Sequence, residues 1–105
     1  MGLDQLDGST FDAKIFDEGG KCLVMFSRKN CHVCKEVTPM LEDLSPEYAG
    51  RCGFYYVDVE DDPVLYKRFP LKGVPSLLFF NQGEFQGRLA GKVEEDAVRE
   101  KIETL

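Results

Sequence analysis

Cys22-Leu23-Val24-Met25-Phe26-Ser27-Arg28-Lys29-Asn30-Cys31-His32-Val33-Cys34-Lys35 joins an unbroken apolar run to the opening of an amphipathic one. Cys22 to Phe26 contains no polar position, the mark of a strand buried on both faces. Beyond it, Val33, Val37, Met40, Leu41, Leu44 and Tyr48 share one helical face, while Lys35, Glu36, Glu42, Asp43 and Glu47 take the other. Pro39 lies inside that pattern and is expected to kink the helix, because it removes a donor and crowds the preceding turn. Cys31 and Cys34 therefore stand where a buried strand hands over to a helix start.

That placement carries chemistry. The free N–H groups and the positive dipole end of a helix favour a thiolate at its first turn. Such surroundings, and nearby cations, pull a cysteine pKa from ~8.5 toward ~3.5–7.5. Arg28, Lys29 and Lys35 bracket the pair, His32 lies within it, and Glu36 is the near acid. Two intervening residues let the sulfurs close a small ring, so the pair can pass between dithiol and disulfide. The other readings of a cysteine pair are half of a zinc site and inert buried thiols. A structural zinc takes four ligands, and here one pair, one histidine inside it and two scattered cysteines are available. Beside a strand–helix–strand pattern the redox reading is preferred, and no metal is expected.

Outward from this stretch the pattern alternates. Ser9 reads as the cap of a helix that buries Phe11, Ile15 and Phe16 and ends at Gly19-Gly20. Phe54 to Val57 reads as a second strand, closed by the polar Asp58 to Asp62. Pro63 opens a short helix carrying Val64, Leu65 and Phe69. Ser76 to Phe80 is a third strand, and Asn81-Gln82-Gly83-Glu84 turns it into a fourth, Phe85 to Ala90. Val93 to Leu105 is a closing helix with Ala97, Val98, Ile102 and Leu105 inward. The fold class is α/β: a mixed sheet, parallel in its first half and an antiparallel hairpin in its second, flanked by helices.

The chain has 105 residues, 43% hydrophobic and 30% charged, which suits a single domain over 1–105 with a core of its own. Nineteen acids against 13 bases give a formal charge of −6, which argues against nucleic acid and against an anionic membrane as partners. No apolar run approaches the ~18 residues of a membrane span. No secretory signal is visible, and Met1-Gly2 lacks the Ser or Thr at position 6 that myristoylation expects, since Leu6 stands there. A cytoplasmic location is the expectation.

Over essentially its whole length the chain resembles a thioredoxin. Phe26-Ser27 followed by Cys31-x-x-Cys34-Lys35, the helical Pro39, Tyr56-Val57-Asp58-Val59-Glu60, Gly73-Val74-Pro75-Ser76-Leu77-Leu78-Phe79-Phe80, Gly83 and Gly91 carry the likeness. It implies a thioredoxin fold and a thiol–disulfide oxidoreductase that reduces protein disulfides, with no cofactor beyond the Cys31–Cys34 couple. Cys31 would be the exposed attacking thiolate and Cys34 the resolving thiol. Pro75 would be cis, leaving the Val74 backbone to pair with an extended substrate segment, while Gly73 and Gly91 keep the docking surface low. The implied partners are protein disulfides and a thioredoxin-reductase-type electron donor, and the chain would act as a monomer.

This sequence also departs from the family pattern. Asn30 stands where thioredoxins usually have tryptophan, and His32-Val33 where they have Gly-Pro. Met25 takes the position of the buried aspartate and Tyr56 that of its lysine partner, so another group must accept the Cys34 proton. His32, protonated or donating a hydrogen bond, would favour the thiolate and make the couple less reducing than a typical thioredoxin. That leaves two alternatives: a more oxidising oxidase or isomerase, and an interaction module built on the same fold. Cys22 and Cys52 begin strands that are parallel neighbours in a thioredoxin-like sheet. They would be either a structural disulfide or, as a reducing compartment favours, two small buried apolar side chains.

Overall fold

The computed structural model describes residues 3–69 and 71–105; Met1, Gly2 and Pro70, and with them the lipidation reading of Met1-Gly2, lie outside. Five strands form one sheet: β1 (Asp4–Gln5), β2 (Cys22–Ser27), β3 (Gly53–Asp58), β4 (Ser76–Asn81) and β5 (Glu84–Ala90). Their spatial order is β1-β3-β2-β4-β5. The wholly apolar β2 is central, parallel to β3 with Cys22 opposite Gly53 and Ser27 opposite Asp58. On its other edge it pairs antiparallel with β4, Cys22 opposite Phe80 and Phe26 opposite Ser76. A strand with neighbours on both edges and helices on both faces has no wet side, which is why its sequence shows no alternation.

Alternation survives in which layer each residue enters. Leu23 and Met25 point to the side of α1 (His32–Leu44) and α3 (Glu95–Glu103), packing with Val37, Leu41, Val98 and Ile102. Cys22, Val24 and Phe26 enter the opposite layer, with Phe11, Ile15 and Leu65, the last from α2 (Pro63–Lys67). Burying one such large apolar side chain contributes roughly 1.5–3 kcal/mol. The β4–β5 hairpin closes through Gln82 (φ 55°) and Gly83 (φ 76°), a two-residue turn whose positive φ angles match the sheet's twist.

Several local expectations shift. Asp7, not Ser9, caps the first helical segment: its Oδ1 accepts the Ser9 N–H (2.8 Å), the Thr10 N–H (3.1 Å) and the Ser9 hydroxyl (2.6 Å). That segment is a wide π turn over Ala13–Asp17, with the Glu18 N–H reaching the Ala13 carbonyl. The wider turn buries Phe11 and Ile15 but leaves Phe16 39% exposed, its ring resting against Phe80. Val64 points to solvent while Leu65, one residue on, is buried. The long helix stops at Leu44, and Ser45–Tyr48 continues as a 3-10 turn around Pro46. The last helix begins at Glu95, leaving Val93 as a packed lead-in.

Candidate active site

The turn after β2 delivers Cys31 to the N-cap of α1 in extended conformation (φ −122°, ψ 109°). Its Sγ accepts the Cys34 N–H at 3.1 Å, so the sulfur lies on the free donors of the first turn. Cys31 and Cys34 are joined by a disulfide, with Cα atoms 5.2 Å apart. In this disulfide-bonded state Cys31 is 5% exposed and Cys34 3%. The bond folds the Cys31 sulfur back over the helix end, so in the oxidised state it is largely covered.

The surrounding charges are also arranged differently from the simple bracket of cations. Lys29 is drawn away: its Nζ lies 2.8 Å from Asp58 Oδ2 and 2.7 Å from Asp61 Oδ1, and its N–H donates to Glu60. Those carboxylates raise the Lys29 pKa. Burial alone would raise the Asp58 carboxyl, but the Lys29 ammonium and the Glu60 N–H hold it below its usual range. His32 is 90% exposed at its side chain and turns to Glu36 Oε1 at 3.8 Å; it makes no hydrogen bond to either sulfur. Asn30 is exposed and Val33 partly buried. Arg28 and Lys35 are exposed and enter no ion pair among the described residues.

Sequence reasoning missed how Cys34 meets solvent. A shallow hollow of about 280 Å³ is lined by Ser27, Arg28, Cys34, Lys35, Thr38 and Pro39. A second, of about 220 Å³, is lined by Leu3, Met25, Ser27, Thr38 and Tyr56. Neither has a carboxylate in its wall. Met25 is 1% exposed, with the Thr38 hydroxyl 4.0 Å from its sulfur and donating to the Cys34 carbonyl at 2.8 Å. Tyr56 donates its hydroxyl to Gln5, away from the pair. The small Ser27 at the end of β2 was the readable signal, since a bulky side chain there would fill both hollows.

The Val74–Pro75 bond is cis. Pro75 is buried, and its carbonyl accepts the Gly91 N–H at 3.0 Å, which sets the start of the last loop beside it. Gly73, Val74, Pro75 and Gly91 line one groove of about 310 Å³, together with Lys72 and Arg88. A Cβ on Gly91 would meet nothing, but its φ of 79° disfavours any side chain. Among the described residues no cluster of three or more His, Cys, Asp or Glu could hold a metal ion.

Cys22 and Cys52 are free and buried. Because Cys22 pairs in register with Gly53, Cys52 lies one residue earlier and enters the opposite layer. The two thiols therefore pack on different faces of the sheet. Burial pushes Cys22 up to about 12 and Cys52 up to about 11.

Residues 3–104 match the family model described as Thioredoxin. The chain belongs to the thioredoxin family. A thioredoxin of Staphylococcus saprophyticus is 30% identical over 98% of this chain and 97% of its own length. One of Staphylococcus epidermidis is 32% identical over 87% of this chain and 86% of its own. The chloroplastic thioredoxin M-type of Pisum sativum is 26% identical over 93% of this chain, which spans 57% of that protein. With the family established and the Cys31–Cys34 disulfide at the helix start, the protein is a thiol–disulfide oxidoreductase.

Proposed function

We propose that this protein reduces disulfides of protein substrates, recharged by a reductase of the thioredoxin-reductase type. The observation that carries this reading is the Cys34 N–H on the Cys31 sulfur: when the bond is reduced, that donor and the helix end stabilise a Cys31 thiolate. The thiolate attacks one sulfur of the substrate disulfide, forming a mixed disulfide and expelling the other as a thiolate. Cys34 then loses its proton and attacks Cys31, closing the Cys31–Cys34 bond and releasing the second substrate thiol. With no carboxylate in either hollow, water in the space lined by Ser27 and Thr38 takes the Cys34 proton, and Arg28 and Lys35 favour the resulting thiolate. Val74 offers backbone to an extended substrate segment beside Pro75, with Gly73 and Gly91 keeping that surface low.

The protein works as a monomeric single domain over residues 1–105, in the cytoplasm, without metal or organic cofactor and without nucleic-acid or membrane partners. No helix among the described residues is long and apolar enough to cross a membrane. A reductant is favoured over the oxidase alternative because His32 faces Glu36, so the imidazole hydrogen bond that would hold the couple high is not made. Equilibration with glutathione tests this. His32→Pro is expected to lower the potential by only a few mV, far below the ~30 mV that corresponds to ~1.4 kcal/mol. A fall of 30 mV or more would make His32 a determinant and revive the oxidising reading. Catalysed precipitation of insulin with dithiothreitol separates a reductase from an interaction module, which would give no acceleration.

A further inference from the structure

Beyond the groove at Pro75 lies a larger hollow of about 550 Å³, lined by Phe69, Leu71, Lys72, Leu78, Phe85, Gly87 and Arg88. Its floor is the buried Leu78, and Phe85, 55% exposed on the edge strand β5, forms an open wall. Its volume falls within the ~300–1,000 Å³ of ligand-binding cavities. Lys72 and Arg88 line both spaces, so the groove and the hollow adjoin at a waist formed by two basic side chains. Lys72 has no ion-pair partner among the described residues.

The sheet register sets the direction of travel. Ser76 faces Ala90, Leu78 faces Arg88 and Phe80 faces Phe85, so Ala90, Arg88 and Phe85 descend one face of the hairpin, with the bulge at Phe79/Phe80 absorbing the odd step. From Ala90 to Phe85 is roughly 15 Å at ~3.3 Å per residue. An extended segment held at Pro75 reaches the hollow with its fourth or fifth residue.

We propose that this hollow is a specificity subsite for the protein substrate. It would receive an aliphatic or aromatic side chain four to five residues from the attacked cysteine, with an acidic residue at the Lys72–Arg88 waist. The inference rests on the reading of the Pro75 groove as the substrate groove. The shared lining of the two spaces and the single hairpin face that carries them point to the same bound segment as occupant. The basic waist, set in a chain of formal charge −6, selects acidic over basic segments.

The test uses disulfide peptides that differ only at the fifth residue from the cysteine (Leu or Ser) and at an intervening residue (Glu or Lys), with hydroxyethyl disulfide as a small substrate. For the wild-type protein the Leu/Glu peptide is expected to have a KM about tenfold below the Ser/Glu peptide at similar kcat. Phe85→Ser, which alters a half-exposed wall, should erase that Leu preference, and Lys72→Glu should reverse the Glu preference. Phe85→Ser should reduce hydroxyethyl disulfide at the wild-type rate. Equal KM values for all peptides in the wild-type protein would overturn the proposal. So would a concentration-dependent dimer in sedimentation that Phe85→Ser abolishes, since a second copy would then cover the hollow. Failure of the wild-type protein on hydroxyethyl disulfide would instead overturn the reductase reading itself.

Discussion

Two pairs of cysteines, each with a member at one end of β2 or just beyond the other, have opposite chemistry. Cys31 and Cys34 are bonded to each other at the start of α1, the sulfur of the first resting on the N–H of the second. Cys22 and Cys52 are free thiols in separate apolar layers, pushed up to about 12 and about 11 by burial. All four are nearly covered, so exposure does not distinguish the pairs. What distinguishes them is the company of donors: free helix N–H groups stabilise a thiolate, while a wall of Leu, Val and Phe penalises it. A cysteine's role follows from which backbone groups it meets, not from how deeply it lies.

The most severe way to break this contrast is to swap one residue in each pair. Cys34→Ser should lower insulin reduction by on the order of 10³-fold or more and leave a trapped mixed disulfide on Cys31, visible by mass. Cys52→Ala should leave the rate unchanged and cost about 1 kcal/mol in a denaturant titration. Equal losses of activity in the two variants would erase the division.

A finer probe is alkylation of the fully reduced, folded protein at pH 8. With a pKa of about 12, on the order of one Cys22 in 10⁴ is thiolate at that pH. Cys31 should react at least 100-fold faster than Cys22 or Cys52, and the two buried thiols should become labelled only on unfolding. Four modifications at similar rates would show that the apolar layers do not protect them.

The smallest effect concerns Lys29, the cation that Asp58 and Asp61 withdraw from the active pair. The Asp58 carboxyl is held below its ordinary 3.8 in the fold, so on acidification the unfolded chain takes up the proton first. Its stabilisation is therefore complete above about pH 4 and lost as pH falls through the lower folded value. Because Lys29 is 60% exposed at its side chain, Asp58→Asn should cost only about 1 kcal/mol at pH 7. The gap between variant and wild type should close by pH 2 in thermal melts. A gap independent of pH would mean that Asp58 acts through packing.

Much of this was written in one dimension. The unbroken Cys22–Phe26 run reports a central strand, because a residue buried on both faces has no polar alternate to show. The Val33–Tyr48 spacing reports one helical face, and the position of Cys31 between them places a sulfur at a helix end. These follow from local periodicity and the free N–H groups that every helix start has. The family pattern around Gly73 to Phe80 and Gly91 names the surface that meets Pro75. What only the tertiary structure decided are relations across sequence distance. Lys29 serves Asp58 and Asp61, about thirty residues away, instead of the sulfurs beside it. Cys22 and Cys52 face opposite layers because a parallel register aligns Cys22 with Gly53 and not with Cys52. Lys72 and Arg88 stand where two hollows adjoin, an arrangement made only when the β4–β5 hairpin lies against Phe69, Leu71 and Lys72. Periodicity records which way a side chain points along its own element; which charge or cavity it meets depends on how distant elements are docked.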